Sequence, residues 1–119
     1  MKAACHCGAV RFEIAEAPTY VAECNCSICA KLGTLWAYFH PDQVASSGTP
    51  ERTRAYVWGD RTLEFHSCST CGCTTHWQAI DGSNANRMGI NARLMEGLTP
   101  QDVELRHFDG AGHGRFWTR

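Results

Sequence analysis

The chain has 119 residues, 44% hydrophobic and 19% charged, which fits one domain of ordinary globular composition spanning residues 1–119. Its formal net charge of -1 offers no polybasic surface, so a nucleic-acid partner and an anionic membrane are not expected. No segment approaches the roughly 20 apolar residues of a membrane span and the start carries no export signal, so a soluble, cytoplasmic protein is expected.

Eight cysteines in so short a chain need an account. Four disulfides are disfavoured, because reducing compartments keep thiols free and because Cys5 and Cys7 in an extended segment would have Cα atoms about 7 Å apart, at the limit of a disulfide. Their grouping as Cys5/Cys7, Cys24/Cys26/Cys29 and Cys68/Cys71/Cys73 is ligand spacing.

In chain order, Val10, Phe12 and Ile14 alternate with polar residues, which predicts a half-buried strand over 9–14 ended by the turn at Pro18. Residues 20–23 form a second strand that delivers Cys24, Cys26 and Cys29. A helical turn at 30–32 stops at Gly33, and Leu35 to Phe39 is strongly β-prone. A turn over His40 to Val44 leads into a loop holding Ser46, Ser47, Gly48, Thr49 and Pro50. Residues 54–58 and 62–66 read as a hairpin around Gly59-Asp60, placing Cys68 just past its second arm. Residues 74–79 continue as a strand, 81–86 are a polar turn, and 87–94 is strand-like with Met88, Ile90, Ala92 and Leu94 on one face. Thr99-Pro100 is a helix-start signal, and His107 to Gly114 form an unusual Gly-, His- and Asp-containing tail that includes His113.

Two clusters of sulfur then stand apart by number. Cys5-His6-Cys7-Gly8 and Cys68-Ser69-Thr70-Cys71-Gly72 together supply four thiolates, which saturate tetrahedral zinc and make a structural site. Gly8 and Gly72 are expected to let backbone N–H groups approach the sulfurs. Cys24, Cys26 and Cys29 give three ligands, one short of a closed site. That leaves three readings: an open zinc site for an incoming thiol, a site closed by Cys73, or a trio of redox-active thiols.

Residues 5–12 (Cys-His-Cys-Gly-Ala-Val-Arg-Phe), 23–33 (Glu-Cys-Asn-Cys-Ser-Ile-Cys-Ala-Lys-Leu-Gly) and 65–72 (Phe-His-Ser-Cys-Ser-Thr-Cys-Gly) resemble, in order and spacing, the motif blocks of the glutathione-dependent formaldehyde-activating enzymes, also called the GFA or CENP-V family. Asn91 to Leu94 and His107 to Gly110 are similar to segments of its shorter members. The resemblance implies a mainly β, zinc-stapled beta-tent fold of several coiled antiparallel sheets with little helix. It implies a structural zinc at Cys5, Cys7, Cys68 and Cys71, and a second zinc at Cys24, Cys26 and Cys29 that glutathione engages in relatives. The activity it implies is carbon–sulfur lyase chemistry, condensing formaldehyde with glutathione to S-hydroxymethylglutathione or handling a related thiol adduct. A non-catalytic zinc-binding module or a glutathione carrier is the alternative.

On that reading Lys31 and Arg93 are candidates to meet glutathione carboxylates, with solvated surface charges as the plain alternative. His107 and Asp109 form either a proton-transfer pair or hydrogen bonds anchoring the tail. Trp36 and Trp77 read as core, and His6 and His76 neighbour cysteine ligands without a clear ligand role. Deprotonating a free thiol at pH 7 raises its reactive fraction by about thirtyfold at most, or roughly 2 kcal/mol, whereas ideal orientation supplies up to about 7–11 kcal/mol. Orientation must therefore dominate catalysis. Nothing in the sequence specifies an oligomeric state.

Overall fold

Alternation along Arg11–Ile14 (β2) buries Phe12 and Ile14 and leaves Arg11 and Glu13 in water. The same period of two organises most of the computed structural model, which describes residues 1–59, 61–80, 86–98, 103–112 and 114–116. β2 lies between Lys2–Ala4 (β1) and Val44–Ser47 (β5) in a three-stranded antiparallel sheet. The second sheet has seven strands. They are Tyr20–Cys24 (β3), Trp36–Phe39 (β4), Thr53–Val57 (β6), Leu63–Cys68 (β7), Thr74–Ala79 (β8), Met88–Asn91 (β9) and Glu104–Phe108 (β10). Their spatial order is β10-β3-β4-β9-β8-β7-β6. One short helix, Ser27–Leu32 (α1), follows β3 and closes on Gly33, whose φ of 68° is the left-handed cap that lets its N–H reach the Cys29 carbonyl. Among the described residues no helix is long and apolar enough to cross a membrane.

β4 shows how the large sheet is covered on both faces. Ala37 and Phe39 join Phe12, Ile14 and Ile90 in the core between the two sheets, while Trp36 and Tyr38 join Trp77 and Phe65 on the far face. Each fully buried side chain such as Phe12 or Ile90 contributes on the order of 1.5–3 kcal/mol. Gly89 in β9 is there for space: a Cβ would lie 2.1 Å from Trp77 Nε1. The far face can therefore seat a large indole against the backbone.

The fold is mainly β with two sheets, as expected, but four details differ. The β10–β3 pair is parallel, not antiparallel, with Glu104 opposite Tyr20 and Phe108 opposite Cys24. Residues 44–47, expected in a turn and loop, form β5, because pairing with β2 supplies the backbone partners that their polar side chains do not signal. The strand expected over 87–94 stops at Asn91, whose side chain accepts from the Arg93 N–H and opens a 3₁₀ turn at Ala92–Leu94. The helical turn expected at 30–32 begins already at Ser27. The hairpin holds, with Val57 opposite Glu64 and Tyr56 opposite Phe65. The expected turn lies outside the described residues at 81–85, as do the Thr99-Pro100 signal, Asp60 and His113.

Candidate metal centre and cleft

All eight cysteines are free thiols, and seven of them form two groups. Cys5 and Cys7 lie in the turn after β1, Cys68 ends β7, and Cys71 lies in the turn into β8; their sulfurs are all within 4.8 Å of one another. Cys5 Sγ to Cys7 Sγ is 3.7 Å and Cys7 Sγ to Cys68 Sγ is 3.6 Å. Tetrahedral zinc with bonds of about 2.3 Å places its sulfurs about 3.8 Å apart, so this quartet fits a zinc ion.

The two knuckles are built alike. Cys5 N–H donates to the Val10 carbonyl at 3.0 Å and Cys68 N–H to the Cys73 carbonyl at 2.9 Å, closing both loops over the same number of residues. Gly8 and Gly72 both take φ of 81°, the conformation the reversal demands. Their own N–H groups go to the carbonyls of Cys5 and Cys68 and close the turns. The sulfurs receive other amides: Val10 donates to Cys5 at 3.3 Å and Thr70 to Cys68 at 3.4 Å. The Cys73 N–H, then that of Cys7, draws the Cys71 thiol down to about 5. At Cys7 the Ala9 N–H works in that same direction, but burial and the neighbouring thiols outweigh it and push the group up to about 11. Four such groups this close cannot all ionise without a cation.

Cys24 ends β3, Cys26 is the N-cap of α1 and Cys29 lies in its first turn; these three sulfurs also lie within 4.8 Å of one another and could hold a metal ion. The Trp36 indole N–H donates to Cys29 Sγ at 3.3 Å. The adjacent Cys29 thiol, with the N–H groups of Cys26 and Gly110, holds Cys24 down at about 5. In return, Cys24 and burial push Cys29 far up. Cys73 does not close this group. Its thiol stands beside Cys71 and receives the His6 N–H, because the tight turn through Gly72 keeps it with the quartet.

The tail forms the far wall. Asn25, between two cysteines of the trio, donates from Nδ2 to Asp109 Oδ1 at 2.8 Å and accepts the Ala111 N–H at 3.0 Å. Asn25 N–H also reaches the Phe108 carbonyl at 3.2 Å. These bonds hold Gly110 so close to the trio that a Cβ there would lie 2.6 Å from Cys24 Sγ. Asp109 is thus a tail anchor, and His107 pairs with Glu23 at 3.4 Å.

A cleft of about 680 Å³ opens over the trio. Trp36 and Trp77, expected as core, are buried and also line it, together with Tyr38, Trp58, Phe65, Phe108 and Phe116. Arg87 is at its edge, its guanidinium 4.8 Å from the centre of the Tyr38 ring. Lys31 and Arg93 do not line it. Lys31 is exposed in the last turn of α1, and Arg93 Nε donates to the Gly33 carbonyl at 2.7 Å, capping the helix. Sequence reasoning gave no site role to Arg87, Asn25 or Gly110; the position of Asn25 between two clustered cysteines and that of Gly110 in the segment from His107 to Gly110 were the signals. His76 serves neither group, being stacked on His66 at 4.4 Å in the sheet interior.

The sequence model of the glutathione-dependent formaldehyde-activating enzyme family matches residues 1–106. The chain belongs to that family. It is also similar to a protein of Rhodobacter sphaeroides with a solved crystal structure, at 33% identity, over 88% of this chain and 99% of that one, with a TM-score of 0.72. The family match spans both thiol groups and ends before the Asp109-Gly110 wall of this family member.

Proposed function

We propose that the protein is a zinc-dependent enzyme of carbon–sulfur lyase type that joins a small-molecule thiol to an aldehyde or splits the adduct. The observation that carries this reading is a trio of sulfurs, with no fourth candidate ligand among the described residues, at the base of an aromatic cleft. In this reading Cys5, Cys7, Cys68 and Cys71 hold a structural zinc, and Cys24, Cys26 and Cys29 hold a second zinc with room for an incoming thiol. When bound there, zinc supplies a thiol that is ionised at neutral pH.

The chain's own residues do the rest. Trp36 and Gly110 direct N–H groups at Cys29 and Cys24, offsetting the negative charge of the trio. The aromatic walls hold the aldehyde against the thiol and keep water out, which is the orientation effect that must dominate the rate. In the forward step sulfur bonds to the carbonyl carbon, the C=O π pair moves to oxygen, and oxygen takes up the proton the thiol released. No oxidant or reductant is needed. Glutathione is the thiol that the family description names. A reducing compartment, the cytoplasm in this reading, keeps the trio free of disulfides.

Metal content measured with and without glutathione tests the proposal. Two zinc ions per chain, one of which changes its spectroscopic signature in a cobalt-substituted sample on adding glutathione, are expected. Two ions that are both insensitive to any thiol would instead make the protein a non-catalytic zinc-binding module.

A further inference from the structure

We infer that the adduct handled here carries a planar apolar group and a single carboxylate, so that an aromatic, monoacidic thiol adduct fits the cleft better than formaldehyde on glutathione. The inference rests on the thiol-handling reading of the same site. Its first ground is size: about 680 Å³ is the volume of a site for a drug-sized ligand, so the cleft takes up the body of the adduct and not the reacting carbon alone, and its lining decides which body fits. Its second ground is the wall itself. Trp36 and Tyr38 come from β4, Trp77 from β8 and Phe65 from β7 of the large sheet, and Phe108 and Phe116 from the C-terminal segment beside them, their rings 5.1 Å apart. Rings at these angles stack on a flat apolar group and offer little to a flexible polar peptide.

The third ground is charge. Apart from the thiols, Arg87 is the one formally charged group among the described lining residues. Its stacking on Tyr38 holds the planar fork at the edge of the cleft, ready for one carboxylate. Glutathione brings two carboxylates and an ammonium. Arg87 would answer one, and the described lining has no second cation for the other carboxylate, a desolvation cost that a monoacid avoids.

The test uses the full-length, zinc-loaded protein and four probes in calorimetric titrations, with tryptophan fluorescence reporting the site because Trp36, Trp58 and Trp77 all line it. The probes are 2-sulfanyl-3-phenylpropanoate, glutathione, 2-phenylethanethiol and thiol-free 3-phenylpropanoate. The aromatic thiol acid is expected to bind about tenfold or more tightly than glutathione, and Arg87→Gln to weaken it about tenfold while leaving 2-phenylethanethiol within about twofold. Glutathione binding as tightly as the aromatic thiol acid, Arg87→Gln weakening both aromatic thiols alike, or no binding by any aromatic probe would overturn the inference. The two readings fail separately. If Cys26→Ser changes no affinity while 3-phenylpropanoate still binds through Arg87, the thiol reading falls and the aromatic-acid preference stands. If glutathione binds tightest and Cys26→Ser abolishes that binding, the preference falls and the thiol reading stands.

Discussion

Two sulfur clusters of similar internal spacing sit in this molecule in opposite settings. The quartet draws its members from segments 61 residues apart and wraps them in amides that its own two turns supply. The trio takes all three from one six-residue stretch and borrows its surroundings from elsewhere: the β4 indole, the far strands and the tail. A cluster that joins remote segments and has its full ligand set is a staple. One that is local, one ligand short and roofed by aromatic side chains is a place for something to bind. Thiol spacing alone does not separate them; the origin of the second layer does.

The largest expected effect breaks the quartet. Cys68→Ser removes one of the four thiols proposed to hold zinc, an ion that would contribute on the order of 10 kcal/mol in a small domain, so the variant is expected to lose one zinc per chain and its cooperative thermal transition. Calorimetry with metal analysis checks this; an unchanged melting temperature would mean that the quartet is no staple. Cys26→Ser, by contrast, is expected to leave the fold intact and abolish thiol binding.

Next in size is acid sensitivity on the quartet's side of the sheet. Burial first, and then the stacked His66, lower His76 to about 4 from an ordinary value near 6.5. An unfolded chain takes up the proton at the higher pH, so the stability of neutral His76 is fully present above about 6.5 and is lost as pH falls through that value toward 4. About 3 kcal/mol is at stake. Denaturant midpoints at pH 7 and pH 4.5 should converge in His76→Gln relative to the parent; an identical pH slope in both would mean that His76 does not carry the acid loss.

A smaller effect sharpens the trio's side. Gly110→Ala drives a methyl group against Cys24 Sγ and is expected to cost about 1–2 kcal/mol of thiol affinity while shifting global stability less. Thiol titration and thermal unfolding measured together check that split. Smallest of all, Arg93→Ala removes the bond to Gly33 and is expected to cost about 0.5 kcal/mol of stability, and Lys31→Ala to leave thiol affinity within about twofold. A large loss of affinity in either would restore them as ligand contacts.

How much of this was legible beforehand follows the same contrast. Cysteine spacing reports directly on which sulfurs can share an ion, so both groups were readable; period-two alternation exposed β2, β-propensity exposed β4, and the turn at Gly59-Asp60 exposed the β6–β7 hairpin. β5 and β10 were not readable, because their backbone bonds depend on partners dozens of residues away and neither Val-Ala-Ser-Ser nor Glu-Leu-Arg-His-Phe shows a sustained apolar alternation. Arg87 was passed over for Lys31 and Arg93 for a related reason. All three are cations near a motif, and only the register of β9 against β4 and the cap at Gly33 decide which one reaches the cleft. Trp36 and Trp77 were read as core, and they are, but the large sheet has two covered faces and theirs is the one with an opening.

The parallel seam between β10 and β3 carries a consequence for the order of assembly. Every ligand of the quartet has left the ribosome once Cys71 has emerged, so that ion can be seated on an incomplete chain. The trio's far wall exists only after Gly110 has been made and laid alongside a strand synthesised more than eighty residues earlier. A chain in mid-synthesis thus carries all four thiols of the quartet before the wall of its cleft, and the trio meets bulk solvent until the last strand docks.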